Sequence, residues 1–125
     1  HQKLTFQQLF SLCIYKNKTR ISPMLLLTRR IKEKLTIGDD LEITLLEINH
    51  KNEEIKIEIY NKRTNNSDLE VLTLKKFFRL NKNVTILITH IKGRQTTFAI
   101  GAPREIPIHR YEVYRKIQAG IPMDR

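Results

Sequence analysis

The sequence is poor in the residues that staple, stiffen or anchor a chain. It has one cysteine, no tryptophan, four glycines and four prolines in 125 residues, and 13 acidic side chains against 23 lysines and arginines. The single cysteine, Cys13, excludes an internal disulfide and fits a reducing compartment, so a cytoplasmic protein is expected. Its neighbours Leu12, Ile14 and Tyr15 mark it as a packed hydrophobe rather than a nucleophile. No apolar run approaches the roughly 20 residues that a membrane-spanning helix needs. Leu4 to Tyr15 contains Gln7 and Gln8 and precedes no small-residue cleavage signal, so it does not read as a signal peptide. Catalytic groups are also missing. His50, His90 and His109 lack metal-ligand spacing, Asp39-Asp40 and Glu53-Glu54 fall in turns, and no glycine loop cradles a phosphate. The expectation is a protein that is not an enzyme and has no metal or cofactor.

The shortage of acidic residues leaves a net charge of +10 and a pI near 10.0. Such an excess points to a polyanionic partner, nucleic acid first and an anionic membrane surface second. Residues 1–23 carry +4, residues 24–68 carry −1 and residues 69–125 carry +7. The last segment is the polycation.

Residues 1–23 read as an extension. Thr5 and Gln8 have capping-box spacing, and Phe6, Leu9, Phe10, Cys13 and Ile14 share one helical face. Lys16 to Pro23 is a linker, and Met24 reads as a candidate initiator, with residues 1–23 either a functional helix from an upstream start or an arm appended to the natural chain. From Met24 the pattern turns to strands: Leu25 to Ile31, Lys34 to Ile37, Leu41 to Ile48 and Glu54 to Ile59, with turns at Gly38-Asp39-Asp40 and Asn49 to Asn52. This predicts a four-stranded meander in a unit spanning residues 24–60. Residues 61–68, Asn61 to Asp68, are polar turn formers and read as a linker.

A second unit, residues 69–120, then repeats the first. Val71-Leu72-Thr73 matches Leu26-Leu27-Thr28, Phe78-Arg79-Leu80 matches Leu35-Thr36-Ile37, and Val84 to Ile91 matches Leu41 to Ile48. Phe98 and Ile100 fall under Ile55 and Ile57 in this alignment. The second unit continues further, with a turn at Gly101-Ala102-Pro103 and a fifth strand at Ile106 to His109. A helix follows over Tyr111 to Gln118, with Val113, Tyr114 and Ile117 on one face, closed by Gly120 and Pro122.

Met24 to Arg30 (MLLLTRR), Leu35 to Asp40 (LTIGDD), Ile91 to Gly93 (IKG) and Gly101 to Gln118 (GAPREIPIHRYEVYRKIQ) together resemble the carbon storage regulators, the CsrA/RsmA translational regulators of bacteria. The resemblance implies an all-β fold with a C-terminal helix, whose subunits dimerise by interleaving strands. It also implies RNA sites formed by the first strand of one subunit and the fifth strand of the other. Each such site holds a GGA sequence in a loop, and binding over a ribosome-entry site in an mRNA leader represses translation. Here two subunits lie in tandem, so the expectation is a pseudo-dimer within one chain, with an intermolecular dimer as the other arrangement. The first unit lacks the fifth strand and helix. In the second, the sequence alignment puts Leu74 and Lys75 in place of the two arginines. Both lesions fall on one site and leave the other whole.

The site expected to survive comprises Leu27, Thr28, Arg29 and Arg30 from the first strand, and Ala102, Pro103, Ile106, Ile108, His109, Arg110 and Glu112 from the second unit. Arginine forks suit phosphates and guanine edges, edge strands offer free backbone groups, and apolar or imidazole surfaces stack bases. Glu112 would orient an arginine. Partners expected from the resemblance are an mRNA leader and an antagonist small RNA with GGA motifs. The other functional class is a protein-interaction module on the same scaffold, binding an acidic protein or a related regulator.

Overall fold

The computed structural model describes residues 24–120. The helix expected over Phe6 to Ile14 and the stop at Pro122 lie outside the described residues. Nine strands and one helix follow in order. They are β1 (Leu25–Arg30), β2 (Lys34–Ile37), β3 (Leu41–Asn49), β4 (Glu54–Asn61), β5 (Asn66–Thr73), β6 (Phe77–Arg79), β7 (Thr85–Lys92), β8 (Gln95–Gly101), β9 (Ile108–Arg110) and α1 (Tyr111–Gln118).

The strands form two sheets that exchange elements between the repeats. One has the order β1-β8-β7-β6 and the other β5-β4-β3-β2-β9. The first strand of each repeat therefore completes the sheet of the other. This corrects the expected four-stranded meander, because β1 pairs with β8 and leaves β2–β4 to associate with β5 and β9. The interleaving is the one implied by the resemblance, now within a single chain.

Strict alternation makes these strands, since side chains at every second position share a face. Leu35, Ile43, Ile55 and Ile57 from one sheet meet Ile86, Ile88, Phe98 and Ile100 from the other, each at most 1% exposed. Burying each such side chain stabilises the fold by about 1.5–3 kcal/mol. Leu72 and Leu27 carry the exchanged strands into that same core.

The repeat extends to backbone detail. Register shifts interrupt β3 between Leu45 and Glu47 and β7 between Ile88 and His90, 43 residues on in both cases. In the turn after β1, Lys32 has φ 77° and donates its N–H to the Leu45 carbonyl at 2.6 Å. In the turn after β5, Lys75 has φ 63° and donates to Ile88 at 2.8 Å. These correspondences correct the sequence alignment at both ends of the repeat. Arg30 lies across from Gln95 and Thr73 across from Glu54, so Arg30 corresponds to Thr73 and Arg29 to Leu72. Lys75 matches Lys32 in the turn, and Leu74 does not replace an arginine. Phe98 pairs with Ile88 as Ile57 pairs with Leu45, which places Phe98 under Ile57 and Ile100 under Ile59. The β7–β8 turn is two residues shorter than the β3–β4 turn, and it is closed by Gly93 at φ 59°.

Two further boundaries move. Strand pairing takes in residue 61 and residues 66–68, with Asn61 opposite Asn66, so the expected linker is a hairpin whose turn is residues 62–65. The Tyr60 hydroxyl donates to Asn65 Oδ1 at 2.7 Å across it, and Asn65 takes φ 59°, which asparagine tolerates well. Ile106 sits in a turn, where its N–H donates to the Pro103 carbonyl at 3.0 Å, and the last strand begins at Ile108. The helix Tyr111–Gln118 agrees with expectation, and Gly120 at φ 72° follows its end.

Candidate nucleic-acid interface

The strands β1 and β9 are edges of different sheets, and side-chain hydrogen bonds tie β1 to the helix that follows β9. Among the described residues β1 pairs only with β8 and β9 only with β2. An edge strand presents backbone N–H and C=O groups to whatever lies beside it.

Arg29 fastens this seam. Its Nη1 and Nη2 donate to Glu112 Oε1 and Oε2 at 2.9 and 3.0 Å, a bidentate fork from β1 to the first turn of α1. Nη1 also donates to the Lys34 carbonyl at 2.9 Å, and Nε to the Thr28 carbonyl at 3.0 Å. Four of the five N–H groups of the guanidinium are thus committed within the protein, and Arg29 is only 5% exposed. The fork holds the Glu112 carboxyl below its ordinary pKa against the opposing effect of burial, helped by the helix-terminal N–H of Glu112 and the charges of Arg29 and Arg110. The expectation that Glu112 orients an arginine identifies that arginine as Arg29.

The remaining expected residues divide by exposure. Arg30, Arg110 and Glu112 are exposed, and Thr28, Pro103, Ile106, Ile108 and His109 are half-buried. Leu27 and Ala102 are buried in the core. Leu27 therefore supports β1 from beneath and does not offer an open floor for bases. The Thr28 hydroxyl is 3.0 Å from that of Thr97. His109 lies across from Thr36 and Arg110 across from Leu35, which puts Arg110 at the Arg29–Glu112 end of the seam. Ile106 lies at the other end, with its Cγ2 3.8 Å from where a Cβ on Gly38 would stand. The Gly38 N–H donates to the Pro107 carbonyl at 2.7 Å, a close approach helped by the missing side chain at φ 64°.

Alternation patterns did not reveal how α1 is held. No residue of the helix is buried, and Ile117 is 43% exposed. Cations and rings hold it in place of an apolar face. Lys34 Nζ lies 5.3 Å from the Tyr111 ring centroid and Lys62 Nζ 4.6 Å from that of Tyr114. Both lysines also pair with the buried Glu42, at 3.5 and 3.6 Å. Burial works against the Lys62 charge, but its hydrogen bond to the Tyr114 hydroxyl and the nearby Glu42 outweigh this, and its pKa lies above the ordinary value. The sequence signal is Glu42 between the apolar Leu41 and Ile43, a carboxylate that requires cations from its neighbours when buried.

The equivalent seam on the other side of the molecule has none of this. Leu72 occupies the place of Arg29 and Thr73 that of Arg30, with no second copy of β9 or α1 among the described residues. A cavity of about 620 Å³ opens there between β5 and β6, lined in part by Asp68, Glu70, Phe78 and Asn81. Among the described residues no group of three or more His, Cys, Asp or Glu side chains could hold a metal, and no helix is long and apolar enough to cross a membrane.

A family model described as "CsrA: Global regulator protein family" matches the chain twice, over residues 24–64 and 71–119. A curated relative, the translational regulator CsrA of Rhodopirellula baltica, is 41% identical over 39 residues, 31% of this chain. The match spans 56% of that relative's length. No solved structure matches the chain. Two family segments, the interleaved sheets and the backbone details repeated 43 residues apart lead to one assignment: the chain belongs to the CsrA family of global regulators, with two copies of the family unit in tandem.

Proposed function

We propose that this chain is an RNA-binding translational regulator with one site per chain, the seam between β1 and β9, reading a GGA-type single-stranded loop in an mRNA leader. The observation that carries this reading is the Arg29–Glu112 fork. It ties β1 to the helix that follows β9 and leaves the exposed Arg30 and Arg110 beside it. Single-stranded loops are read by hydrogen bonds to base edges and by stacking, and arginines outside the fork supply phosphate or guanine contacts. Thr28, Ile108 and His109, half-exposed along the same seam, contribute the remaining surface. Family membership and the name of the curated relative support the RNA partner and the regulatory role. The other seam lacks both the arginine and the carboxylate, and its groove, lined by Asp68 and Glu70 against the single cation Arg79, is less favourable to phosphate.

Fluorescence anisotropy with a GGA hairpin and a CCA control tests the reading. The expected result is saturation at one RNA per chain with clear preference for GGA. Equal affinity for both hairpins would overturn the site, and two equivalent RNAs per chain would overturn the assignment of one live seam.

A further inference from the structure

The two sheets differ on the faces that point away from the core. In the five-stranded sheet one outward row runs Lys34, Thr44, Glu58 and Leu69 across β2, β3, β4 and β5. The equivalent row of the four-stranded sheet runs Phe77, Leu87, Ala99 and Leu26 across β6, β7, β8 and β1. Three polar positions have become apolar. In the first sheet this face receives α1 through Lys34 and Tyr111. Among the described residues the four-stranded sheet has no copy of that helix, yet Leu87 is 1% exposed and Ala99 is 0% exposed. They form an apolar cluster separate from the core, and the partly buried residues packed against it are Met24 and Phe77. The row ends in Leu26, which is 56% exposed, and exposed apolar surface continuing from a buried cluster marks a docking face.

Met24 already touches this cluster, so the chain that precedes it starts from the patch. That chain carries Phe6, Leu9, Phe10, Cys13 and Ile14 at helical spacing, four basic residues and no acidic ones. The nine residues between Ile14 and Met24 can reach about 30 Å, whereas four strands are only about 15 Å wide. We propose that residues 6–14 dock with their apolar side chains on the outward face of the four-stranded sheet, over Phe77, Leu87 and Ala99. They would take the position that α1 occupies on the other sheet. Apolar contact replaces the cation–ring clamps because the row beneath has lost its charges.

Cys13, the only thiol in the chain, lies on the docking face and reports on it directly. In the full chain its reaction with a disulfide reagent should be slower by about tenfold or more than in denaturant, as expected for a group that reacts only after local opening. Protection should be the same at low and high protein concentration. Leu9→Glu, which lies outside both sheets, should remove it while leaving the circular dichroism of the sheets unchanged. Phe77→Glu should act in the same way from the other side of the contact. Leu69→Glu, at the position equivalent to Leu26 on the other sheet, should leave it intact. A thiol that reacts as fast in the native chain as in denaturant overturns the proposal. So does protection that survives Leu9→Glu, or that disappears on dilution, because the cover would then be supplied by another copy.

Discussion

The two seams of this molecule began as copies of one design and now differ in a coupled way. At one, β1 presents Arg29, and a helix beyond β9 presents Glu112 to receive it. At the other, β5 presents Leu72 and no helix among the described residues presents a carboxylate to it. A buried guanidinium without a carboxylate is costly, whereas a leucine at the same backbone position joins the core. The arginine and the carboxylate are therefore physically coupled, and a seam without one has no use for the other. Arg29 is the fastener of a seam, and Arg30 and Arg110, exposed beside it, are the arginines proposed to meet RNA.

Exchanging these residues would break the comparison most sharply. Leu72→Arg buries a cation opposite no acid and should cost about 3–5 kcal/mol of stability, read by urea denaturation. A much smaller loss would mean that the β5 seam opens to water readily. The reciprocal Arg29→Leu removes the fork and leaves the Lys34 carbonyl without this donor. It should cost about 1–3 kcal/mol, discounted because the Glu112 side chain is 59% exposed, and it should abolish preferential GGA binding. Retained preference would show that the seam needs no fastener.

Arg110→Ala and Arg30→Ala should each weaken RNA binding with little loss of stability. Each should lower the slope of log affinity against log salt by about one, measured by anisotropy titrations at several ionic strengths. Acid separates the seams more gently. The Glu112 pKa is lowered in the folded state, so its stabilisation is complete above the ordinary carboxylate pKa of 4.5 and is lost as pH falls through the lower folded value. Glu112→Gln should flatten that acid limb in melting experiments, and an unchanged limb would show that the fork contributes nothing. The smallest effect is expected from Lys75→Ala. It removes an exposed charge in the turn matching Lys32, and neither stability nor RNA affinity should move measurably.

Much of this architecture was legible in the sequence because alternation is a strong signal. β2 and α1 appear with the expected limits, and β3, β4 and β7 lie within a residue or two of theirs. The register of the repeat was less legible for a definite reason. Side chains in a strand repeat every two residues, so an alignment shifted by two still places apolar under apolar. Leu72-Thr73 therefore matched Leu27-Thr28 convincingly, although pairing with β4 aligns Leu72 with Arg29 and Thr73 with Arg30. The same shift displaced Phe98, where a shorter turn supplied the two missing residues. The seam was only partly legible. Leu27, Arg29 and Arg110 were picked out by type, but burial divides them into support, fastener and exposed charge. Burial depends on which sheet each strand joins, and no local pattern encodes that. Lys34 and Glu42 were missed because charged residues on a strand ordinarily face water, and Lys62 because it lies in a turn.

The hairpin between β4 and β5 changes what kind of object this is. Its turn, residues 62–65, is the covalent junction between the two family units. Two separate subunits would have to meet before their strands could interleave, and their assembly would follow mass action. Joined by so short a tether, the second half is always present at a high effective concentration, and assembly becomes a folding step. The junction also relaxes a genetic constraint. In a dimer of identical subunits every substitution appears at both seams, whereas here one seam can lose its arginine while the other keeps it.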